Sequence, residues 1–402
     1  MMRAGAGLST LPETREAAAQ AAEAALGGLH GGRPNLALVF ASPHHADRAD
    51  DVLQAVDQVA GPSALIGCVA EAVVGGSREV ENEPAISVWL GMVPGRVETF
   101  HMEFVRTESG GALAGWLFDR DHLGAGSVTG PIHLMIADPF TFPAELLLQH
   151  LNEGVPGALV VGGFASGARM PGQTILFEDR TVHREGAVGA RLSASVAVRT
   201  LVSQGCRPIG QSYVVTRAEE DVLFELGGRP PLERLRETVA ELAPPDQELV
   251  THGLHVGRAI DEYKAEHGVG DFLIRGVIGA DPSTGAIAVG DHIEVGQTVR
   301  FHVRDAATAD EELRTLLEQE VSEHRGRAAG ALLFTCNGRG SRMFPTPDHD
   351  AGLVSSLLGG IPMAGFFCAG ELGPVGGKNF LHGFTASLAL FLDAESKDQT
   401  SS

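Results

Sequence analysis

Residues 330–391 decide the fold of this chain, and they read GALLFTCNGRGSRMFPTPDHDAGLVSSLLGGIPMAGFFCAGELGPVGGKNFLHGFTASLALF. An apolar strand ends in a loop rich in Gly and Arg, a helix follows, and a second strand ends in another Gly-rich loop. This order places both loops at one edge of a sheet, beyond the carboxyl ends of its strands. That edge commonly binds ligands in open α/β sheets, because its loops expose free backbone N–H and C=O groups.

The same segment resembles the C-terminal domain of the FIST family, which is named for F-box and intracellular signal transduction. Three motifs carry this similarity: Thr335-Cys336-Asn337-Gly338-Arg339-Gly340, the run from Gly365 to Pro374, and Leu381-His382-Gly383-Phe384-Thr385. Three further segments resemble the N-terminal domain of that family: Leu65 to Glu71, Val161 to Ser166, and Gly205 to Gly210. The resemblance implies a sensory module for a small ligand such as an amino acid.

Composition indicates a cytoplasmic protein that binds neither nucleic acid nor membranes. The formal net charge is −21, and such a surface repels phosphate backbones and anionic lipid. No window is apolar enough to span a bilayer, and the N-terminus lacks the apolar core of a secretory signal. The four cysteines, at positions 68, 206, 336 and 368, have no Cys-x-x-Cys spacing, which favours reduced thiols over disulfides or structural zinc. No metal or cofactor is predicted.

Hydrophobic periodicity indicates one supersecondary unit repeated four times, as strand, helix, Gly-rich strand and further strand. The four β-α-β-β units begin at Leu36, Ile132, Gly253 and Leu332. The third is the most divergent, and its pattern predicts a helix from Arg258 to about Glu266. Because helices alternate with strands while hairpins join several strands, we expect an α/β to α+β fold with layered mixed sheets and flanking helices.

Two units precede the Gly/Pro-rich joint at 227–231 and two follow it, which predicts two similar domains. We expect a FIST N-terminal-like domain over residues 34–227 and a FIST C-terminal-like domain over 228–392. Residues 1–33 form an N-terminal extension with a helix at Glu13–Leu26, and residues 393–402 form a disordered tail.

Polar residues cluster after the strands of these units, and they are the candidates for a ligand site. Arg339 with loop N–H groups and Glu371 as an anion would suit a ligand that carries both a carboxylate and an amino group. The alternative for these two residues is a structural ion pair. Gly370 begins a run that either cradles a carboxylate or makes a tight turn. The full set of ligand-binding candidates is Glu71, Ser166, Cys336, Asn337, Arg339, Gly370, Glu371, Asn379 and His382.

Glu71, Ser166, Asp281 and Glu371 each follow a Gly-rich strand, so we expect them to occupy comparable structural positions. The resulting hypothesis is a sensor that binds a small polar ligand and signals through a separate, unidentified protein. It assigns no catalytic residue and leaves the oligomeric state open.

Two alternatives remain for the function. One is an enzyme acting on a small amide or ester through Glu371 or through Cys336 with His382 as its base. The other is a protein-interaction scaffold that binds no ligand.

Overall fold

The computed structural model describes residues 2–107, 110–115, 131–193, 195–264, 267–268, 270–324 and 327–393. It divides into two compact units. The first comprises the chain up to Val202, Arg314–Leu381 and the chain from Thr385 onward, and the second comprises Ser203–Leu313 and His382–Phe384. The first unit therefore takes residues from both sides of the joint at 227–231, and the division into two sequence domains stays a prediction. The predicted disordered tail lies, from residue 394 onward, outside the described residues.

The N-terminal half of the first unit contains β1 (Arg3–Ser9), α1 (Thr14–Gly27), β2 (Leu36–Ala41), α2 (Ala49–Ala60), β3 (Leu65–Val69), β4 (Ala72–Gly75), β5 (Arg78–Glu81), β6 (Ile86–Met92), β7 (Val97–Thr107), β8 (Gly110–Ala114), β9 (Ile132–Ala137), α3 (Ala144–Gly154), β10 (Leu159–Phe164), β11 (Leu176–Glu178), β12 (Thr181–His183), β13 (Ala187–Leu192) and β14 (Ala197–Ser203). The middle of the chain contains β15 (Cys206–Glu219), β16 (Val222–Leu226), α4 (Pro231–Glu241), α5 (Pro244–His252), β17 (Leu254–Ala259), β18 (Phe272–Asp281), β19 (Ala286–Val289), β20 (Thr298–Arg304) and α6 (Ala306–Glu323). The C-terminal part contains β21 (Ala328–Cys336), α7 (His349–Leu357), β22 (Met363–Cys368), β23 (Glu371–Val375), β24 (Lys378–His382) and β25 (Ala386–Leu392).

Three mixed sheets with flanking helices form the first unit, which confirms the predicted fold class. Their strand orders are β1-β6-β2-β3-β11-β12, β24-β23-β10-β9-β13-β7-β8 and β14-β25-β21-β22-β4-β5. Each sheet is built on one predicted repeat: a parallel pair joined by a helix, with the last strand of the repeat returning antiparallel to the first. The described helices include none that is both long and apolar enough to cross a membrane.

The hairpin of each repeat leaves its own sheet and joins the sheet of another repeat. The first repeat supplies β4-β5 to the sheet of the last, the last supplies β23-β24 to that of the second, and the second supplies β11-β12 to that of the first. This cyclic exchange ties the three repeats together through backbone hydrogen bonds, so we expect them to unfold as one cooperative unit.

A glycine occupies the same position in the second parallel strand of each repeat. Gly67 pairs with Val39, Gly162 with Met135 and Gly365 with Leu333. A Cβ at these glycines would lie 1.9, 1.8 and 1.8 Å from the carbonyl oxygen of the paired residue. Real Cβ atoms do not come so close to a carbonyl oxygen, so each repeat needs glycine here for its two parallel strands to pair.

The faces of the three sheets share one apolar core. Phe40 of the first repeat contacts two rings of the last, with centroids 6.4 Å from Phe334 and 5.0 Å from Phe366. Leu134 and Val188 of the second repeat belong to the same buried cluster. Close-packed aromatic residues bury large apolar areas and favour edge-on or offset contacts, so this core is a main source of stability.

The N-terminal residues are part of the first sheet. The helix predicted at Glu13–Leu26 is confirmed as α1, and β1 pairs with β6 along its whole length. β1 was not predicted, because its sequence, Arg-Ala-Gly-Ala-Gly-Leu-Ser, contains mostly small residues and gives little apolar alternation.

The second compact unit is a closed barrel with the strand order β15-β16-β19-β18-β17-β20. The third predicted repeat is wrong, because its strands belong to this barrel, and so is the start of its helix at Arg258; residues 265 and 266 of that helix lie outside the described residues. Arg258 lies in β17, where it pairs with Leu273 of β18 and with Val299 of β20, and the described residues of the following loop form turns. Pairing on both sides satisfies the backbone of this segment as a strand and overrides the local pattern.

Candidate functional site

The carboxyl ends of three Gly-rich strands meet in the first compact unit. The Ser166 hydroxyl, just beyond β10, accepts a hydrogen bond from the Glu71 backbone N–H at 2.9 Å and donates one to the Phe367 carbonyl in β22. Asn337, just beyond β21, donates its backbone N–H to the Cys368 carbonyl at 2.8 Å. The structure thus brings the polar ends of all three repeats together, and we name this region the convergence site.

The exposed layer of the convergence site is an ion pair on a loop. The Arg342 guanidinium contacts both carboxylate oxygens of Glu71, and it also donates to the Asn337 carbonyl at 2.5 Å. The side chain of Arg342 is 54% exposed and that of Glu71 is 37% exposed. Such a pair contributes little to stability, so both charges are available for contact with a ligand at small cost.

Cys336 lies beneath this layer at the end of β21. Its sulfur accepts a hydrogen bond from the Gly338 backbone N–H at 3.4 Å, and its backbone N–H donates to the Thr385 carbonyl at 2.9 Å. The thiol also interacts with the Glu371 carboxyl and lies near Arg342. Cys336 therefore separates the exposed ion pair from the buried acid below it.

Glu371 is the buried acid of the convergence site and is fully shielded from solvent. Its Oε2 accepts hydrogen bonds from the Thr385 backbone N–H at 3.1 Å and from the Thr385 hydroxyl at 2.8 Å. Its Oε1 meets the geometry of a hydrogen bond with no residue that the structure describes, although the nearby Cys336 thiol interacts with the carboxyl and favours its charged form. Burial raises the pKa of Glu371 to about 8, although the Thr385 hydrogen bonds oppose this shift. Glu371 is therefore largely neutral at pH 7.

The raised pKa of Glu371 predicts a dependence of stability on pH. The native state holds a proton that the unfolded state releases near the ordinary pKa of 4.5, so the free energy of unfolding should fall as pH rises from about 5 to 8. The slope should approach about 1.4 kcal/mol per pH unit at most. Glu371→Gln should remove this contribution. Urea unfolding at pH 5, 6.5 and 8 checks the prediction, and equal slopes for the two proteins would contradict it.

Arg339 takes part in a different, fully buried network. Its guanidinium donates to both carboxylate oxygens of Asp350, at 2.7 and 2.8 Å, and neither side chain is more than 1% exposed. Thr335 donates to the same carboxylate at 2.8 Å. Burial opposes the ionisation of Asp350, but the Arg339 charge and these hydrogen bonds hold its pKa well below the usual range. The acidic partner of Arg339 is therefore Asp350, and not Glu371 as in the predicted structural ion pair.

Glu79 links this network to the exchanged hairpin of the first repeat. It lies on β5, and its Oε1 accepts the Ala351 backbone N–H at 2.9 Å near the start of α7. Burial and the neighbouring Asp350 charge raise the pKa of Glu79 to about 7. Neither Glu79 nor Asp350 is among the site residues predicted from the sequence. The signal for Asp350 was its place in the first turn of the helix that follows the Gly/Arg loop, where a carboxylate is favoured.

The remaining candidates lie apart from this cluster or have backbone roles. Asn379 is 2% exposed and joins β24 to the start of β10: its side chain accepts from the Val160 N–H at 2.8 Å and donates to the Ala158 carbonyl at 2.8 Å. Glu371 pairs with Gly163 near the other end of β10, roughly 10 Å further along the strand.

Gly370 accepts the Phe164 backbone N–H through its carbonyl at 2.8 Å. His382 belongs to the second compact unit, whereas Cys336 belongs to the first. The expected equivalence of Glu371 with Glu71 and Ser166 is wrong, because Glu371 lies within β23, whereas the other two lie beyond the ends of their strands.

Comparison with known proteins agrees with the motifs at this site. A family model of the FIST N domain matches residues 35–229, and a model of the FIST C domain matches residues 231–374. The chain is 55% identical over 392 residues to an uncharacterized protein of Mycobacterium tuberculosis (strain ATCC 25618 / H37Rv), covering 98% of this chain and 100% of that protein. It is 53% identical over 394 residues to an uncharacterized protein of Mycobacterium bovis (strain ATCC BAA-935 / AF2122/97), covering 98% and 99% of the two chains.

FIST domains are generally associated with sensory roles in signal transduction. Both domain models match in sequence order, and together they span most of the chain. The motifs around Cys336 and Glu371, which suggested the resemblance, fall within the matched residues. The chain is therefore a member of the FIST family and contains a FIST N domain followed by a FIST C domain.

Proposed function

We propose that this FIST protein is a cytoplasmic sensor that binds a small ligand with an amino group, such as an amino acid, at the convergence site. The observation that carries the proposal is Glu371, a buried carboxyl whose Oε1 has the Cys336 thiol nearby but meets the geometry of a hydrogen bond with no described residue. A buried polar atom without a partner costs about 1–3 kcal/mol, and a ligand donor would recover that cost.

An ammonium group beside Glu371 would convert the neutral carboxyl to a carboxylate. The paired charges would lower its pKa from about 8, so binding would release a proton at neutral pH. The carboxylate of the same ligand would face the outer layer, where the exposed Arg342 guanidinium lies beside Asn337. This arrangement replaces Arg339 of the original hypothesis with Arg342 as the cationic partner, because Arg342 is exposed and Arg339 is buried against Asp350.

Signal output follows from the position of the site between repeats. Glu71 belongs to the first repeat, Ser166 to the second, and Arg342 to the last, so a ligand that displaces the Glu71–Arg342 pair changes contacts among all three. A ligand shifts a conformational equilibrium only as far as its affinities for the two states differ. In this proposal a separate signalling protein recognises the surface that changes.

A thermal unfolding screen tests the proposal. The purified protein is heated alone and with a panel of amino acids, amines and small carboxylates. A ligand at 100 times its dissociation constant should stabilise the fold by about 2.7 kcal/mol and raise the midpoint measurably. We expect the shift for compounds that carry an amino group, and a larger shift when they also carry a carboxylate.

The screen also separates the proposal from its two alternatives. Glu371→Gln should abolish the ligand-induced shift of the unfolding midpoint. Asn379→Asp changes a buried position outside the site, so the folded protein of this variant should still show the shift. Turnover of an amide or ester that stops after alkylation of Cys336 would favour the enzyme. Absence of any shift across the panel would favour the scaffold and contradict the sensor.

A further inference from the structure

A second cluster of ligand atoms lies at the end of α6 and plays no part in the convergence site. It consists of Glu320, Glu323 and His324, with one donor atom from each, and all three atoms lie within 4.8 Å of one another. His324 continues the last turn, since its backbone N–H still donates to the Glu320 carbonyl at 2.9 Å. Residues three and four positions apart share one face of a helix, so the spacing itself directs these side chains to a common point.

Two of the candidate ligand atoms are buried and face each other at ion-pair distance. Glu320 Oε1 and His324 Nδ1 lie 3.0 Å apart, which is ion-pair distance, but neither atom meets the geometry of a hydrogen bond with any residue that the structure describes. The Glu320 side chain is only 4% exposed. Atoms bound to one tetrahedral zinc at 2.0–2.1 Å are about 3.3 Å apart, which is close to the observed separation. The pair is thus arranged as two ligands of one cation would be.

Two neighbouring side chains, Arg199 and Gln319, contact the carboxylates of Glu320 and Glu323 and fix their orientation. Arg199 lies 3.5 Å from Glu320 Oε2 and 3.3 Å from Glu323 Oε2, and Gln319 donates to Glu323 Oε1 at 3.0 Å. Groups of this kind orient metal ligands from outside the coordination sphere. The two carboxylates and the one guanidinium sum to a net charge of −1, and the negative end of the helix dipole adds to it.

We propose that Glu320, Glu323 and His324 bind a divalent transition-metal ion of the zinc type. One imidazole nitrogen and two carboxylate oxygens suit Zn²⁺, whereas Ca²⁺ and Mg²⁺ prefer oxygen ligands alone. Water would complete the coordination sphere, because Glu323 is 43% exposed and leaves one side of the cluster open. The site joins the last turn of α6 to Arg199 on β14, so bound metal would stabilise that contact.

Calorimetric titration of the full chain with ZnCl₂, and in parallel with MgCl₂ and CaCl₂, tests this site. We expect one Zn²⁺ per chain and weaker binding of the other two ions. Glu320→Gln and His324→Gln should each lower the affinity for Zn²⁺ at least about tenfold. Loss of a group that only orients a metal ligand commonly lowers metal affinity 10- to 100-fold, and these two residues are the ligands themselves. Zn²⁺ should also raise the unfolding midpoint of the wild-type protein and not that of these variants.

His150→Gln is the matched control. His150 also lies near the end of a helix with a glutamate three residues later, but its Nδ1 is bonded to the Leu146 carbonyl at 2.8 Å. Zn²⁺ binding should be unchanged in this variant. If Glu320→Gln fails to fold, His324→Gln carries the test, because His324 is 20% exposed. Wild-type protein that does not bind Zn²⁺, or equal Zn²⁺ affinity in all variants, would overturn the proposal and leave a simple His–Glu ion pair.

Discussion

Arg339→Met is expected to destabilise the protein by about 3–5 kcal/mol, because it leaves the Asp350 carboxylate buried without its cationic partner. Thr335 and His349 would still bond that carboxylate, but neither supplies a permanent positive charge. Without Arg339, the pKa of Asp350 should rise, and the variant should recover part of its stability at low pH as Asp350 becomes protonated. Urea unfolding of the variant at pH 4 and pH 7 measures both effects.

Two further variants separate this effect from a general loss of charge. Arg342→Met removes an exposed arginine from the same loop, and it should cost no more than about 1 kcal/mol. The double variant Arg339→Met with Asp350→Leu should be more stable than Arg339→Met alone, since it contains no unpaired buried charge. A single Arg339→Met variant as stable as Arg342→Met would show that the buried pair does not support the fold.

Gly365→Ala is expected to cost more than about 4 kcal/mol, which is an unusually large effect for one methyl group. The added Cβ would lie 1.8 Å from the Leu333 carbonyl oxygen, so β21 and β22 would have to separate. β22 also pairs with β4 of the first repeat, and the strain would therefore reach the exchanged hairpin. Denaturant unfolding of the variant and the wild-type protein measures the change in the free energy of unfolding.

Gly352→Ala is the matched control for the same substitution. Gly352 lies in α7, and a Cβ there would meet no atom within 4 Å apart from its chain neighbours and the backbone of its own helix. Alanine is the better helix former, so this variant should be as stable as the wild-type protein or gain up to about 1 kcal/mol. If Gly365→Ala and Gly352→Ala unfold within about 1 kcal/mol of each other, the glycine is not required for strand pairing.

The local elements of the fold could be predicted from the sequence, whereas the pairing of the hairpins could not. Apolar runs and helical periodicity are local, and they located β2, β9, β21 and the helices that follow them. The exchange of hairpins depends on contacts between distant residues, such as Gly365 with Val74, and no local pattern specifies which sheet a hairpin joins. The strand character of Arg258 likewise comes from neighbours on both sides.

The part of the candidate site that could be predicted is the set of residues at the ends of strands. Glu71, Ser166, Cys336 and Asn337 all come directly after strands or end them, and parallel strands direct such residues to one edge. Whether each charged side chain is buried or exposed, and which residue it pairs with, could not be predicted from the sequence. Whether an arginine is buried against an aspartate or exposed depends on the packing of the loop and helix around it, which distinguishes Arg339 from Arg342.

The most direct test of the ligand proposal is the number of protons released on binding. The best amine-containing ligand from the thermal screen is titrated at pH 7 by calorimetry in buffers of different ionisation enthalpy. The proposal predicts release of about one proton per ligand by the wild-type protein, because neutral Glu371 becomes a carboxylate beside the ammonium group. Glu371→Gln should bind weakly and release none. Tight binding without proton release, or identical binding by the variant, would contradict the assignment of Glu371 as the ligand-binding acid.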